Sequence, residues 1–258
     1  VQSMSNCFVI SSPLDSYGSI ARADEEILQI QKRRGGCGVD LSNIRPRTMT
    51  VSNAAGSSDG LGIFMERYSN TTREVAQGGR RGALMETCDV RHPDIETFID
   101  IKQETDKHGD LTKVTGANVS VRVTDHFMQA VEADGEFILR WPCKAPLGDA
   151  KFTKTLTARA LWKKMMHAAW AAAEPGVLYW DTVTKWSMAD EFADKGFETI
   201  CTNPCSALPL SAHDSCRLML LNLLSYVKDP WTSKATFDMT KFASHVEKAQ
   251  RLMDDLVD

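Results

Sequence analysis

Residues 118–123 read Asn118-Val119-Ser120-Val121-Arg122-Val123, and this stretch decides the fold class. Its valines occupy every second position, which is the side-chain period of a β-strand. Thr124 and Asp125 follow at once as candidate helix caps, and Thr124–Ala133 has the residue pattern of a helix. A strand that leads directly into a helix is the repeating unit of α/β proteins.

The same alternation continues along the chain in both directions from this stretch. Strands are predicted at Asn6–Ile10, Gly38–Ile44, Ala83–Val90, Asn118–Val123 and Val177–Trp180. Helices are predicted at Ser19–Arg34, Leu61–Ala76, from His92 to Lys102, and at Thr124–Ala133, Thr155–Glu174, Cys216–Val227 and Thr240–Val257. Cys216–Val227 could also be partly extended. Residues 195–215 are predicted to be irregular. The pattern as a whole predicts an α/β fold with a mostly parallel sheet.

Composition narrows the class of protein. The 258 residues are 43% hydrophobic and 25% charged, which is ordinary for a globular domain. The net charge of −4 and the absence of a Lys/Arg stripe argue against direct nucleic-acid binding. No apolar run reaches the roughly 20 residues of a membrane-spanning helix, and the start lacks the features of a signal peptide. We therefore expect a cytoplasmic protein, and we expect the chain to be an internal fragment.

The seven cysteines are an odd and scattered set, so they do not predict a disulfide scaffold. Cys201 and Cys205 alone are a weak zinc signal, and we assign no metal ligand. Cys205 lies between Pro204 and Pro209 in a loop of mixed polarity. Two interpretations of that loop stay open, a structural turn and a positioned reactive thiol.

Glycines stand beside arginines in two further segments. Gln77-Gly78-Gly79-Arg80-Arg81-Gly82-Ala83 could approach a phosphate or a base closely, or could simply end a helix with two solvated charges. No Gly-Lys-Ser/Thr follows, so it is not a Walker A loop. The segment around Arg34-Gly35-Gly36 and Arg45-Pro46 allows the same two interpretations, an anion-binding loop or turn chemistry.

Taken in order, seven motifs together resemble the first half of the ribonucleotide reductase catalytic barrel, over essentially the whole chain. They are Ser5-Asn6-Cys7, Arg34-Gly35-Gly36, Leu41-Ser42-x-Ile44-Arg45-Pro46, Gln77–Ala83, His92-Pro93-Asp94-Ile95-x-x-Phe98-Ile99, Gly116–Val121 and Asn203-Pro204-Cys205. The resemblance implies a ten-stranded α/β barrel made of two parallel five-stranded halves, with a finger loop inside. Residues 1–258 would then be a partial catalytic barrel domain, without the upstream segment and the second half-barrel.

The resemblance also implies an activity, the reduction of ribonucleotides to 2′-deoxyribonucleotides by a thiyl radical. It assigns the radical to Cys205, the redox-active pair to Cys7 and Cys216, and a hydrogen bond to the substrate ribose to Asn203. A disulfide needs sulfur atoms about 2 Å apart, so the Cys7 and Cys216 segments must be neighbours in space. A thioredoxin-like reductant would restore the two thiols.

The chain departs from the family two residues after Cys205. The family carries a glutamate there, the general base on the 3′-hydroxyl, whereas this chain has Ala207. Loss of a general base costs on the order of 10²–10⁴ in rate. Ser206 is a poor substitute, and the sequence offers no geometric reason to assign the role to His213.

Effector binding, by resemblance, falls on other loops. Asp15 and Ser16 would contact the effector nucleoside, a dNTP or ATP, and Arg45 its phosphate. Gln77 and Arg81 would lie in the loop that relays effector identity to the substrate site. Such relay is a coupling between two sites, and we expect it to operate across a homodimer.

The segment Pro209–Leu218 resembles the adenosylcobalamin-dependent, or class II, branch of the family. Three alternatives remain. The first is a class I catalytic subunit that needs a radical-generating partner. The second is a catalytically impaired, nucleotide-binding regulatory homologue, which Ala207 favours, and the third is a zinc-bound structural domain. Whether the substrate is a ribonucleoside diphosphate or triphosphate is left open by the sequence.

Overall fold

The computed structural model describes residues 5–75, 79, 82–103 and 113–257. The strands are β1 Cys7–Val9, β2 Gly36–Asp40, β3 Leu84–Asp89, β4 Asn118–Val123, β5 Glu136–Trp141, β6 Phe152–Thr157, β7 Gly176–Tyr179, β8 Thr199–Thr202, β9 Pro209–Ser211, β10 Ser215–Cys216, β11 Val227–Lys228 and β12 Thr236–Phe237. The helices are α1 Tyr17–Gln31, α2 Gly62–Glu74, α3 Ile95–Asp100, α4 Asp125–Glu132, α5 Ala158–Ala172, α6 Trp180–Trp186 and α7 Met239–Asp255.

The central sheet has six strands in the order β10-β1-β2-β3-β4-β7. Five of them, β1, β2, β3, β4 and β7, run parallel, and β10 runs antiparallel to β1. Helices connect the parallel strands, as such crossovers require. The prediction of an α/β fold with a mostly parallel sheet is confirmed, and so is the set of five parallel strands expected for half of the barrel.

The two faces of the sheet carry different residues because side chains alternate along each strand. On the outer face Val39, Cys88 and Val121 are fully buried in the main core with the helices. The inner face carries smaller or more polar residues, among them Gly38, Thr87 and Arg122. This inner face is where a second layer of chain has room to pack.

The hairpin of β8 and β9 supplies that layer. Cys201 and Leu210 of the hairpin pack against Val9 and Met85 of the sheet. A methyl group built on Gly38 would overlap the carbonyl oxygen of Thr202. The glycine thus lets the hairpin backbone lie directly on the backbone of β2.

Three predictions of local structure are wrong. Cys216–Val227 is not an α-helix, because Cys216 pairs with β1 and the segment after it has only a short 3₁₀ turn, at Leu223–Tyr226. The segment 195–215 is not irregular throughout, since it contains the β8–β9 hairpin. The helix predicted from Thr155 begins at Ala158, because the residues before it pair with β5.

No helix among the described residues has the length and apolar character needed to cross a membrane. The same part of the chain holds no group of three or more His, Cys, Asp or Glu side chains arranged for a metal ion.

Candidate functional site

The loop at the tip of the β8–β9 hairpin presents Cys205. Asn203 is buried at the start of this loop, and its backbone N–H and side-chain oxygen bond the Leu208 carbonyl and N–H, each at 3.1 Å. The Asn203 amide nitrogen donates to Cys205 Sγ at 3.2 Å. The Pro204 carbonyl in turn accepts from Asn118 Nδ2 at 3.1 Å. The asparagine side chain therefore spans the loop and holds an exposed thiol at its tip.

Cys7 and Cys216 lie directly opposite each other in the antiparallel pair of β1 and β10. Opposed residues in such a pair have Cα atoms about 4.5–5.5 Å apart, which is inside the range that a disulfide requires. The expectation that these two segments are neighbours is confirmed by the strand register. Their role as a redox pair stays a prediction.

The pKa values of Cys7 and Cys216 are both influenced by Cys205. Burial raises the pKa of the Cys7 thiol, nearby Cys216 and Cys205 raise it further, and a hydrogen bond from Asn203 opposes them. Burial also raises the pKa of Cys216, with Cys205 adding to the effect and Arg217 opposing it. Both thiols of the pair are therefore protonated at neutral pH, a form that can donate hydrogen atoms and protons.

Ala207 is exposed in the same loop, two residues after Cys205, so a methyl group occupies the position of the expected carboxylate. His213 does not replace it. The His213 ring bonds Ser11 Oγ at 2.9 Å and its backbone N–H donates to the Val9 carbonyl, at the end of β1 away from Cys7.

A buried charged network at the other end of the hairpin was missed by sequence reasoning. Arg122 Nη2 lies 2.9 Å from Asp40 Oδ1 and 3.0 Å from Ser42 Oγ, and Arg122 Nη1 donates to the Ile200 carbonyl at 2.8 Å. The one available signal was a charged residue inside an alternating apolar strand. The network ties the base of the hairpin to the ends of β2 and β4.

The candidate effector residues Asp15, Ser16 and Arg45 line one cavity of about 370 Å³. Arg45 Nε donates to Asp15 Oδ2 at 2.7 Å, and Arg45 Nη1 donates to the Thr50 carbonyl at 2.6 Å. The hydrogen bond to Asp15 raises the pKa of Arg45, so the guanidinium stays charged. The Ser16 hydroxyl caps α1 by accepting from the Ser19 N–H.

An aromatic wall closes the same cavity, where the rings of Tyr17 and Phe64 meet edge to face with centroids 6.2 Å apart. Neither residue was identified from the sequence. The remaining effector candidates, Gln77 and Arg81, lie outside the described residues.

Comparison with known proteins gives a family. Residues 5–258 match the family model described as "Ribonucleotide reductase, barrel domain". The chain is 34% identical to a vitamin B12-dependent ribonucleotide reductase of Streptomyces clavuligerus, over 98% of this chain and 27% of that protein. It is 33% identical to the vitamin B12-dependent ribonucleoside-diphosphate reductase of Thermoplasma acidophilum, over 99% of this chain and 31% of that protein.

A more distant relative is the ribonucleoside-diphosphate reductase large subunit of Variola virus, 27% identical over 99% of this chain and 35% of that protein. The chain thus spans between a quarter and about a third of the length of the curated relatives it matches. Together with the five parallel strands and the hairpin on their inner face, the match settles the family. The chain belongs to the ribonucleotide reductases, and its fold is that of the first half of their barrel domain.

Proposed function

We propose that the full-length protein reduces ribonucleotides to 2′-deoxyribonucleotides and that this chain supplies its three reacting thiols. The observation that carries the proposal is the register of β1 and β10, which sets Cys7 opposite Cys216. Cys205, held by Asn203 on the hairpin tip, influences the pKa of both thiols, which supports a single site for the three sulfurs.

The chemistry balances with these groups. A thiyl radical at Cys205 takes the 3′-hydrogen atom of the ribose and returns it at the end of the reaction. The 2′-hydroxyl leaves as water after it gains a proton. Cys7 and Cys216 supply two electrons and two protons and become joined by a disulfide bond. A thioredoxin-like dithiol then reduces that disulfide by exchange.

The names of the Streptomyces clavuligerus and Thermoplasma acidophilum relatives describe vitamin B12-dependent reductases, and we propose adenosylcobalamin as the cofactor. When bound, this group supplies the radical that Cys205 takes over. The exposure of Cys205 fits this role, because a bound cofactor could reach the exposed cysteine. Asn203 keeps the sulfur in one position while it is approached.

The cavity beside α1 is our candidate for the effector site. Its size is within the range of small-ligand pockets, and it combines the cation of Arg45 with the aromatic wall of Tyr17 and Phe64. A dNTP or ATP has the matching groups, a phosphate chain and a flat base. We further propose that the enzyme acts as a homodimer in the cytoplasm.

The test is turnover of a ribonucleotide by the full-length protein, with adenosylcobalamin and a dithiol as the only additions. We expect activity, lost in Cys205→Ser and kept in Cys143→Ser, which alters a buried thiol remote from the hairpin tip. Both the diphosphate and the triphosphate are offered as substrates. Absence of turnover in correctly folded wild-type protein and in Ala207→Glu would contradict the proposal.

Ala207 itself bears on rate, because a carboxylate at this position would be a general base on the 3′-hydroxyl. We expect Ala207→Glu to raise kcat by up to about 10²–10⁴, with Ala207→Gln as the matched control that adds the same bulk without a base. Equal rates for the Glu and Gln variants would show that the position has no proton-transfer role.

A second function is favoured by the same residue, namely a nucleotide-binding regulatory homologue without catalysis. Binding of dNTPs with no turnover in any variant would support it. A class I enzyme is distinguished by its need for a radical-generating partner protein, and activity with adenosylcobalamin alone would exclude that alternative.

A further inference from the structure

The strand that carries Cys216 is only two residues long. Two backbone hydrogen bonds flank it, from Asn6 N–H to the Cys216 carbonyl and from Val9 N–H to the Asp214 carbonyl, each 3.0 Å long. So short a strand at the edge of a sheet has little pairing of its own to set its position. Its position must depend on what holds the chain on either side.

On the carboxyl side the neighbouring residue, Arg217, is tied to a distant helix. Its Nε donates to the carbonyl oxygen of Leu256, at the C-terminal end of α7, at 3.0 Å. The last carbonyls of a helix have no partner within the helix, and a positive charge at that end is favourable. The half-buried Arg217 side chain therefore caps the C-terminal end of α7, and the same hydrogen bond connects β10 to that helix.

On the amino side the turn before β10 is held as well. His213 adopts a left-handed conformation, with φ of 63°, which is uncommon for residues other than glycine. Its ring bonds Ser11 Oγ and its N–H donates to the Val9 carbonyl at 2.8 Å. Side-chain hydrogen bonds therefore hold both flanks of the two-residue strand, and a backbone hydrogen bond supports the amino flank as well.

We propose that Arg217 is a positioning residue for the thiol pair, anchoring β10 to the end of α7 so that Cys216 remains opposite Cys7. The proposal rests on the proposed function only in taking this pair as redox-active. A second observation agrees with it, since Arg217 opposes the effect of burial on the pKa of Cys216. The arginine thus acts on both the place and the ionisation of one sulfur.

The experiment measures disulfide formation rather than turnover. Reduced full-length protein is equilibrated with mixtures of glutathione and glutathione disulfide, and the Cys7–Cys216 cross-link is quantified by peptide mass spectrometry. Joining the two sulfurs releases two electrons and two protons, which convert one glutathione disulfide to two glutathione thiols. The equilibrium constant reports how well the pair is aligned.

We expect Arg217→Gln to lower this constant about tenfold, the scale set by losing a hydrogen bond from a charged group. It should also move the pH profile of Cys216 alkylation to higher pH, because the nearby positive charge is gone. The matched control is Arg251→Gln, which removes an exposed arginine from α7, the helix that Arg217 contacts. We expect wild-type values for that control.

The outcomes separate the two claims. A normal constant and a normal pH profile in folded Arg217→Gln would overturn the positioning role and leave the redox pair intact. Failure of the wild-type protein to form the cross-link would overturn the redox pair itself. If Arg217→Gln does not fold, Arg217→Leu, which keeps an apolar stem but removes the donor and the charge, takes its place. A wild-type constant in that variant would also overturn the inference.

Discussion

At the scale of single residues, Glu86 is the side chain whose chemistry is least expected from its position in β3. It is fully buried among the helix-facing residues, and neither carboxyl oxygen has a hydrogen-bond partner among the described residues. Burial raises its pKa well above the ordinary value of 4.5, Lys102 opposes the shift and Glu174 adds to it. Burial in the fold therefore favours the protonated, neutral form of Glu86 over the carboxylate.

Linkage gives this burial a measurable signature. The folded protein favours the protonated acid, so the contribution of Glu86 to stability is complete below pH 4.5 and is lost as pH rises towards its folded pKa. We expect Glu86→Gln to unfold at higher urea concentration than wild type at pH 7, and at a similar concentration at pH 4. The difference should grow by about 1.4 kcal/mol per pH unit in the intervening window.

The comparison is made by urea denaturation followed by circular dichroism at several pH values. Glu132→Gln is a suitable control, because it removes an acid from the exposed surface of α4. A Glu86→Gln variant whose stability tracks wild type at every pH would show that Glu86 is ionised in the fold.

Residue roles were predictable only where a motif carried them. Cys7, Cys205, Cys216 and Asn203 were identified from resemblance, and the register then brought the two paired thiols together. The contact of Arg122 with Asp40 could not be predicted, because it joins strands that are separated by β3 and depends on which face each residue occupies.

At the scale of elements, the approach of the β8–β9 hairpin to β2 depends on one missing side chain. A methyl group at Gly38 would collide with the Thr202 backbone, so the hairpin would have to move away from the sheet. We expect Gly38→Ala to cost about 1–3 kcal/mol of stability and to reduce turnover strongly, because Cys205 moves with the hairpin.

Gly18→Ala is the matched control, since a methyl group there would meet nothing within 4 Å. The measurements are the urea midpoint and the turnover rate of the full-length protein. Wild-type turnover in Gly38→Ala would mean that the height of the hairpin above the sheet does not matter to the reaction.

Elements with strong periodicity were predicted well, and those without it were not. The alternating valines of β4 gave its bounds, and five parallel strands followed. The leucines after Cys216 suited a helix by spacing alone, but strand pairing with β1 determined the outcome. The β5–β6 hairpin was missed because Thr155 and Leu156 also fit the amphipathic pattern of the helix behind them.

At the scale of the whole molecule, large apolar side chains remain on the surface. Trp186, Leu220 and Trp231 are 76%, 93% and 89% exposed, and β7 and β10 form the two edges of the sheet. Exposed apolar groups and unpaired sheet edges both promote association. We expect the 258-residue chain, produced by itself, to self-associate and to bind a hydrophobic dye.

Sedimentation velocity across a range of concentrations would check this expectation, with dye fluorescence as the second measurement. The full-length protein is the control, and it should bind much less dye per mole. A monomeric chain with a single cooperative unfolding transition would show that these residues suffice for an independent domain.

The pairing of β1 with β10 joins points of the chain that are roughly 200 residues apart. A covalent bond between Cys7 and Cys216 would turn that span into a closed ring, and a ring of this length strongly restricts the unfolded chain. The two sulfurs that provide the electrons would then cross-link the two ends of the half-barrel whenever they are oxidised. Resistance to unfolding would rise and fall with the redox state, so an oxidised molecule awaiting reductant would be the harder one to denature.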